Sequence, residues 1–355
     1  MLCPHQVTVV VITTLTVQKS DSVSGGPHLG HYERVTGPRS AVVVNPTKVP
    51  DMDHLRRIIG EGLANAGWPE PAWYETTPED PGQGQAKQAV RAGAELVFAC
   101  GGDGTVMAVV TALAGSDVTM AVLPAGTGNL LAANLGLGAD PATGVQVAIE
   151  GGRRRIDVGV CGDRCFVVMA GMGFDAEMLA GTSETAKKRI GWLAYVGGAV
   201  KHLRDRPMRA RIVLDDRPPM PRRPRTVIVG NVGRLQGGVR LLTEADPADG
   251  QLDVAILSPN NLAHWASLAW GVVRRRDRVP LMETYTASRI EIQSRSTQPR
   301  QLDGDLIEPG RTLKIQVKPG ALLLSVPRPE GDPDLAYDVR TAAEAAEEIR
   351  EAARE

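Results

Sequence analysis

The fold of the chain is best read from residues 95–105, which spell Glu-Leu-Val-Phe-Ala-Cys-Gly-Gly-Asp-Gly-Thr. A mostly apolar run leads here into a glycine-rich turn. The chain repeats this order at 120–129, where Met-Ala-Val-Leu is followed by Pro-Ala-Gly-Thr-Gly-Asn. Each segment is typical of a buried strand, a tight turn and the start of a helix. Two such units in succession predict an α/β fold with a parallel sheet, and they place both turns at its carboxyl edge.

Both turns have the chemistry of a phosphate site. Glycine allows the backbone N–H groups to approach an anion closely, and the N-terminus of the following helix adds its positive dipole. A single Gly-Asp-Gly turn is equally well explained as ordinary turn chemistry, but two such turns side by side favour a nucleotide phosphate. Neither the Walker pattern nor the G-x-G-x-x-G pattern is present. The candidate binding residues in the two turns are Gly101, Gly102, Asp103, Gly104, Thr105, Gly126, Thr127 and Asn129.

Asp103 is the charged residue of these turns. A carboxylate beside a polyphosphate would be repelled unless it acted through a cation, so we expect Asp103 to position Mg²⁺ or its waters. Thr105 could donate its hydroxyl to a phosphate or simply cap the helix. With no P-loop lysine, charge neutralisation would come mainly from the metal and backbone dipoles, with Lys48 as a candidate helper.

The composition excludes several classes of protein. A net charge of −1 and an aromatic content of 4% argue against a nucleic-acid partner. The four cysteines have no metal or redox spacing, which fits a reducing cytoplasm. The longest apolar stretch, 7–17, is shorter than the roughly 20 residues of a membrane span and lacks the features of a signal peptide. We therefore expect a cytoplasmic protein.

The pattern divides the chain into four segments. Residues 1–40 are expected to be a disordered extension, and 41–153 a nucleotide-binding α/β domain that could also receive the C-terminal strand. Within this domain the pattern predicts a strand over 41–44, a helix with Leu55, Ile58, Ile59 and Leu63 on one face, and a strand over 72–75. Residues 154–327 contain short strands separated by turns, with helices only near 186–204 and 261–273, which predicts a β-sandwich-like domain. These strands are expected at 156–160, 165–170, 209–214, 226–230, 251–257, 289–293, 312–317 and 322–326. The last segment, 328–355, is predicted to be an acidic helical tail.

Beyond the two turns, further short motifs follow in a specific order. They are Asn45-Pro46, Ala-Gly-Met-Gly-Phe-Asp-Ala at 170–176, Gly230-Asn231, Asp-Gly-Gln-Leu-Asp at 249–253 and Leu-Asp-Gly-Asp at 302–305. Over residues 41–327 this set resembles the diacylglycerol kinase catalytic-domain family, which includes bacterial lipid kinases and sphingosine kinases. The resemblance implies a nucleotide domain like that of NAD kinases and phosphofructokinases, then a β-sandwich, with ATP in the cleft between them.

The resemblance also implies roles for individual residues. ATP would contact Asn45, Thr77 and the two glycine-rich turns. Asp305 stands where the family's Asp-Gly-Glu motif has its final carboxylate, so it would deprotonate the lipid hydroxyl. Asp249 would bind a structural Mg²⁺, and Asp303 is a second metal candidate. Without the resemblance, both acidic segments would be interpreted as simple β-turns.

Three positions depart from the family pattern. Met107 and Ala108 stand where many bacterial members have Asn-Glu, and Leu130 stands where many have aspartate. Asp305 is one methylene shorter than the usual glutamate. The first two departures remove carboxylates that could organise water and metal, which lowers the expectation of efficient catalysis. The phosphate turns are intact.

The expected function is Mg²⁺-dependent transfer of the γ-phosphoryl group of ATP to a lipid hydroxyl, with diacylglycerol as the default acceptor and phosphatidic acid as the product. A sphingoid base or another lipid alcohol stays open as the acceptor. An NAD kinase-like enzyme with a soluble substrate is one alternative, and a non-catalytic nucleotide-binding regulator is another.

A lipid acceptor would be met at the inner membrane face by peripheral contact. Residues 262–273, followed by Arg274–Arg276, could form an amphipathic contact helix, although packing on its own domain is the favoured interpretation. The arginines 222, 223 and 225 lie among prolines and are interpreted as loop residues rather than a binding patch. The oligomeric state is open, and a dimer is compatible with the sequence.

Overall fold

The computed structural model describes residues 37–125, 129–138, 140–173, 207–232, 242, 245–259, 264, 267 and 281–327. Its first half alternates strands and helices, as predicted. The strands are β1 (Ser40–Val44), β2 (Ala72–Glu75), β3 (Leu96–Gly101) and β4 (Thr119–Pro124). The helices are α1 (Met52–Asn65), α2 (Gln83–Arg91), α3 (Asp103–Leu113), α4 (Leu130–Asn134) and α5 (Pro141–Glu150).

Local sequence accounts for α1. The Asp51 side chain caps the helix by accepting the His54 N–H. Leu55, Ile59 and Leu63, spaced four residues apart, are buried on one face, as the periodicity predicts.

The four strands of this half are parallel, in the order β2-β1-β3-β4. All six residues of β3 are buried, with Val97 and Ala99 in one apolar cluster and Leu96, Phe98 and Cys100 in another on the opposite face. A sheet covered on both faces explains why this strand is apolar throughout instead of alternating.

The second half is rich in antiparallel strands. These are β5 (Gly152–Cys161), β6 (Arg164–Phe166), β7 (Met169–Gly173), β8 (Ala210–Leu214), β9 (Met220–Arg222), β10 (Thr226–Gly230), β11 (Leu252–Leu257), β12 (Met282–Ala287), β13 (Arg289–Leu302) and β14 (Asp305–Val326). β13 joins two layers, because residues 290–294 pair with β8 whereas 300–302 pair with β7. Alternate apolar residues of the two layers share one core. β14 then crosses to the first half and lies parallel to β4.

Some strand predictions differ from the structure. Residues 165–170 were expected to form one strand but lie in β6 and β7, because the N–H groups of Val167 and Val168 donate to Asp303 instead of to a neighbouring strand. The segments 312–317 and 322–326 belong to the single strand β14, and β9 and β12 were missed. Cys161 and Cys165 flank the β5–β6 hairpin turn and are free thiols.

Several predicted features lie outside the described residues. They include residues 1–36, the turn residues Gly126 and Thr127, the helix near 186–204, most of 261–273 and the tail from 328. Among the described residues, no helix combines the length and apolarity that a bilayer-crossing segment requires. The domain boundaries at 153/154 and 327/328 stay predictions.

Candidate active site

The carboxyl edge of the parallel sheet gathers three of the predicted binding segments. Asn45 follows β1, Thr77 follows β2, and the turn Gly101–Thr105 follows β3. Backbone hydrogen bonds continue sideways past the strand ends: Asn45 N–H donates to the Cys100 carbonyl at 2.9 Å and Ala125 N–H to the Gly101 carbonyl at 3.0 Å. The edge is therefore a connected row of loops, where ligands of open α/β sheets usually bind.

The two glycines that open the first turn have different surroundings. A Cβ added to Gly101 would lie 2.7 Å from the Thr105 side chain, so this position requires glycine for packing. A Cβ on Gly102 would meet no atom of the described residues within 4 Å, so none of them covers this side of the turn at the start of α3. Thr105 itself is buried against Gly101 and anchors the turn from beneath. The open side of the turn carries the helix N-terminus, where anions are favoured.

Asp103 connects the first turn to the end of the second. Its Oδ1 accepts the Leu130 N–H at 2.7 Å, at the first residue of α4. Asn129, just before this helix, has a left-handed backbone with φ 36° and is buried. No local pattern predicts the contact between Asp103 and Leu130, since 27 residues separate the partners.

Asn45 and Thr77 both close local turns with their side chains. Asn45 Oδ1 accepts two hydrogen bonds from Thr47, one from the backbone N–H at 3.1 Å and one from the side-chain hydroxyl at 2.8 Å. Thr77 Oγ1 accepts the Asp80 N–H at 3.2 Å, and the Asp80 carboxylate in turn accepts N–H groups at the start of α2. The Asn45 amide and the Thr77 hydroxyl both retain donors that these bonds do not use.

Asp303 is a buried acceptor that holds the tip of the β13–β14 hairpin. Asp303 and Gly304 both have positive φ, as in a type I′ turn. The Asp303 carboxylate accepts the N–H groups of Val167, Val168 and Met169 at 2.7–2.9 Å. Burial raises the pKa of Asp303 to about 7, while these three hydrogen bonds act to lower it. The hairpin is thereby tied to the link between β6 and β7.

Asp305, two residues on, faces the first turn. Its Oδ2 would lie 3.6 Å from a Cβ added to Gly104, within the first turn of α3. Its side chain reaches solvent, yet partial burial raises the pKa of Asp305, and the negative charge of Asp103 raises it further while Arg164 lowers it. Two carboxylates, Asp103 and Asp305, therefore repel each other across the start of α3, an arrangement that favours a proton or a cation between them.

Asp305 lines a cleft of about 630 Å³. Its walls come from the Thr77–Gln83 loop, α2, α3, β6 and the β13–β14 hairpin, and Lys87 and Arg164 supply positive charge. The cleft therefore combines the N-terminus of α3 with two cations and with four acidic side chains, those of Glu79, Asp80, Asp163 and Asp305.

The chain matches two family models, the diacylglycerol kinase catalytic domain over residues 39–161 and the YegS C-terminal NAD kinase beta sandwich-like domain over 167–326. This chain belongs to the diacylglycerol kinase catalytic-domain family. A "probable lipid kinase YegS-like" of Pseudomonas putida is 30% identical over 306 residues, covering 84% of this chain and 98% of that protein. The diacylglycerol kinase of Bacillus subtilis is 28% identical over 274 residues, covering 75% and 89%.

The fold is also that of a diacylglycerol kinase from Bacillus anthracis, with a TM-score of 0.62 at 17% identity over 82% of this chain and 97% of that one. The predicted fold class, a parallel α/β half followed by a β-sandwich-like half, is confirmed.

Among the residues that depart from the diacylglycerol kinase family pattern, Met107 and Ala108 lie on the cleft beside Asp305. Both residues line the cleft wall on α3. Leu130 contacts the hairpin instead, because its Cδ1 would lie 3.4 Å from a Cβ added to Gly304. These positions therefore make the surroundings of Asp305 more apolar than the family pattern would.

The second acidic segment of the diacylglycerol kinase pattern lies apart from this cleft. Asp249 is exposed, and its Oδ1 accepts the Gln251 N–H at 2.8 Å. Beside it, the buried Asp157 accepts N–H groups from Gly250 at 2.6 Å and Gly320 at 2.7 Å, and burial raises its pKa. Sequence reasoning missed Asp157, although a lone acid inside an apolar strand is a usable signal. Within the described ranges, no cluster of three or more metal-ligating side chains occurs.

Proposed function

We propose that the protein is a lipid kinase that transfers the γ-phosphoryl group of ATP to a lipid hydroxyl with Mg²⁺, with diacylglycerol as acceptor and phosphatidic acid as product. The observation that carries the proposal is the approach of Asp305 to the open glycine turn. A carboxylate and a helix N-terminus face each other there across one cleft. The family and a relative named diacylglycerol kinase support it.

In this proposal the first turn binds the phosphates of ATP. The space over Gly102 admits a phosphate oxygen, and the N–H groups that open α3 have no partner within the helix. Asn45, Thr77 and the second turn, Gly126–Asn129, complete the nucleotide site along the same edge of the sheet. Lys87, on α2, is placed to attract the polyphosphate.

Asp305 is proposed as the general base. The lipid hydroxyl would lie in the cleft, in line with the γ-phosphorus, and Asp305 would accept its proton as the new P–O bond forms and the bond to ADP breaks. A carboxylate with a raised pKa is a better proton acceptor than an ordinary aspartate, so the partial burial of Asp305 and its repulsion by Asp103 both serve this role.

The carboxylates present fit a magnesium ion. Mg²⁺ in kinases is typically held by one or two carboxylates together with substrate phosphates. Asp103 provides hard oxygen atoms for the ion, and a cation bound there would relieve the repulsion between Asp103 and Asp305 while leaving Asp305 to act as the base. When bound, the ion would neutralise charge on the transferring phosphoryl group. Asp303 would hold the hairpin in place, and Asp249 stays a proposed ligand of a separate, structural ion.

The test is phosphoryl transfer from labelled ATP, with the wild type, Asp305→Asn and Glu308→Gln. Glu308 is an exposed acid on the same strand and has no proposed role, so its variant controls for loss of charge. Diacylglycerol in mixed micelles, a sphingoid base and NAD are compared as acceptors.

Transfer to diacylglycerol by the wild type and Glu308→Gln, but not by Asp305→Asn, is expected. Label in NAD alone would replace the proposal with a soluble-substrate kinase. ATP binding without transfer to any acceptor would favour a regulator.

A further inference from the structure

Four exposed arginines lie on one face of the sheet formed by β9, β8 and the first part of β13. The register pairs Ala210 with Arg222 on one side and with Ser294 on the other. One residue along, Arg209 is therefore flanked by Arg223 and Arg295, and Arg295 N–H donates to the Arg209 carbonyl at 3.1 Å. We call Arg209, Arg211, Arg223 and Arg295 the arginine row.

The arginine row brings four positive charges close together on paired strands. Like charges on directly paired strands destabilise a sheet. Among the described residues, no carboxylate forms an ion pair with any of the four. Glu291 acts on Arg211 at longer range, but it pairs with Lys314 at 3.2 Å and accepts a hydrogen bond from Gln293.

Two neighbouring arginines, Arg222 and Arg225, differ from the row because each has a partner in the structure. Arg222 forms a forked pair with Glu283, with N–O distances of 3.0 and 3.1 Å. Arg225 is buried and donates to the Pro259 carbonyl at 2.7 Å. The sequence-based interpretation of these arginines as loop residues is wrong for Arg222, which belongs to β9. Arg222 and Arg225 therefore have partners among the described residues, whereas the four arginines of the row have no acidic partner there.

The arginine row lines a groove of about 790 Å³ that includes Pro219 and Pro221. The groove is separate from the cleft, because Arg295 lies seven residues before the end of β13, roughly 23 Å at the usual rise per residue. Its described lining contains no aromatic side chain on which a base could stack. Guanidinium groups bind phosphate oxygens in a bidentate manner.

We propose that the arginine row docks the protein on an anionic membrane surface by binding lipid phosphate groups. This inference rests on the proposed function, since a lipid acceptor requires contact with a bilayer. The net charge of the chain is −1, so attraction to the membrane must come from a local concentration of positive charge such as this one. A row across three strands presents a flat array, which suits a surface better than a single small anion.

The test is co-sedimentation with phosphatidylcholine vesicles, with and without phosphatidylglycerol, at low and high salt. The row variant, Arg209→Gln/Arg223→Gln/Arg295→Gln, removes three of the four arginines of the row. A control triple variant removes three exposed arginines of the first half, Arg39→Gln/Arg57→Gln/Arg91→Gln. Each arginine near an anionic surface contributes about fivefold to binding, so the row variant is expected to bind roughly a hundredfold more weakly.

The control variant is expected to bind like the wild type, and both are expected to detach at high salt. Equal binding by the row variant, or wild-type binding that ignores phosphatidylglycerol, would overturn the proposal. So would tighter binding to single-stranded RNA that is lost in the same variant. Phosphoryl transfer to a water-soluble, short-chain diacylglycerol is measured in parallel. The row variant should retain this activity, because the acceptor does not require membrane binding. If the wild type lacks the activity, the proposed kinase function is refuted but the docking surface is not.

Discussion

Replacing Gly102 with alanine separates phosphate binding from folding. Gly102 has φ −84° and ψ −175°, a conformation open to alanine, and the added methyl group would meet no atom of the described part of the chain within 4 Å. Alanine reduces the freedom of the unfolded chain, which stabilises by about 0.4–1 kcal/mol. Alanine is also a poorer N-cap than glycine, which costs about as much. We therefore expect the free energy of unfolding of Gly102→Ala to stay within about 0.5 kcal/mol of the wild type.

The effect on ATP should be far larger. The methyl group would occupy the space over α3 in which the phosphate is proposed to lie, and would displace at least one charge-assisted hydrogen bond. Such a bond contributes about 1.5–3 kcal/mol, so ATP should bind roughly 10- to 150-fold more weakly. Titration calorimetry measures the affinity, and thermal unfolding followed by circular dichroism measures the stability.

The matched control is Gly60→Ala, in the middle of α1, where an added methyl group also meets nothing within 4 Å. It should gain about 0.5–1 kcal/mol of stability from helix propensity and leave ATP binding unchanged. Wild-type ATP affinity in Gly102→Ala would refute a phosphate over this turn. A large fall in its melting temperature would refute the structural premise.

Three further predictions concern the hairpin and the core. Asp305→Asn should lower phosphoryl transfer by about 10²-fold or more without loss of stability, since it removes the base and also its repulsion with Asp103. Because folding raises the pKa of Asp303 from its ordinary 3.8 to about 7, its contribution to stability should be fully present below pH 3.8 and lost as the pH rises through 7. Urea unfolding across this range should show that decline, and Asp303→Asn should remove it. Gly144→Ala would place a Cβ 2.5 Å from Leu123 Cδ2 and 2.8 Å from the Val122 carbonyl, so it should cost about 1–3 kcal/mol in the same assay.

Each of these three predictions has an outcome that would contradict it. Wild-type turnover by Asp305→Asn would refute the assignment of Asp305 as the base. Glu308→Gln is the control for the loss of a negative charge. An equal loss of stability with rising pH in the wild type and in Asp303→Asn would assign the effect to other groups. Wild-type stability of Gly144→Ala would mean that α5 can move away from β4 without cost.

Local patterns in the sequence predicted the first half well. The run before Asn45, the strand at 72–75 and the face of α1 were all placed correctly, because a buried parallel strand and an amphipathic helix are each encoded within one segment. The second half was less predictable. Asp303 interrupts the strand expected at 165–170 through hydrogen bonds that span 134–136 residues, and no local pattern encodes such a contact.

The candidate site likewise combines local motifs, which can be predicted from the sequence, with long-range contacts, which cannot. The glycine turns and the Asp303–Asp305 hairpin are visible as motifs. The bond from Asp103 to Leu130 and the approach of Asp305 to Gly104 depend on how distant segments pack. The arginine row was missed for a related reason: Arg209, Arg223 and Arg295 become neighbours only through strand pairing.

The crossing of β14 has a consequence for synthesis on the ribosome. This strand begins at Asp305 in the cleft and ends beside β4, where Leu323 and Leu324 pair with Thr119 and Met120. The partner residues in β14 lie about 200 residues after β4 in the sequence. The edge of β4 therefore stays without this partner strand until those residues have been translated. During that interval the nascent first half carries an unpaired apolar edge, the kind of surface that chaperones recognise and that aggregates when left uncovered. A fragment that stops before β14 should consequently be far less soluble than the full chain.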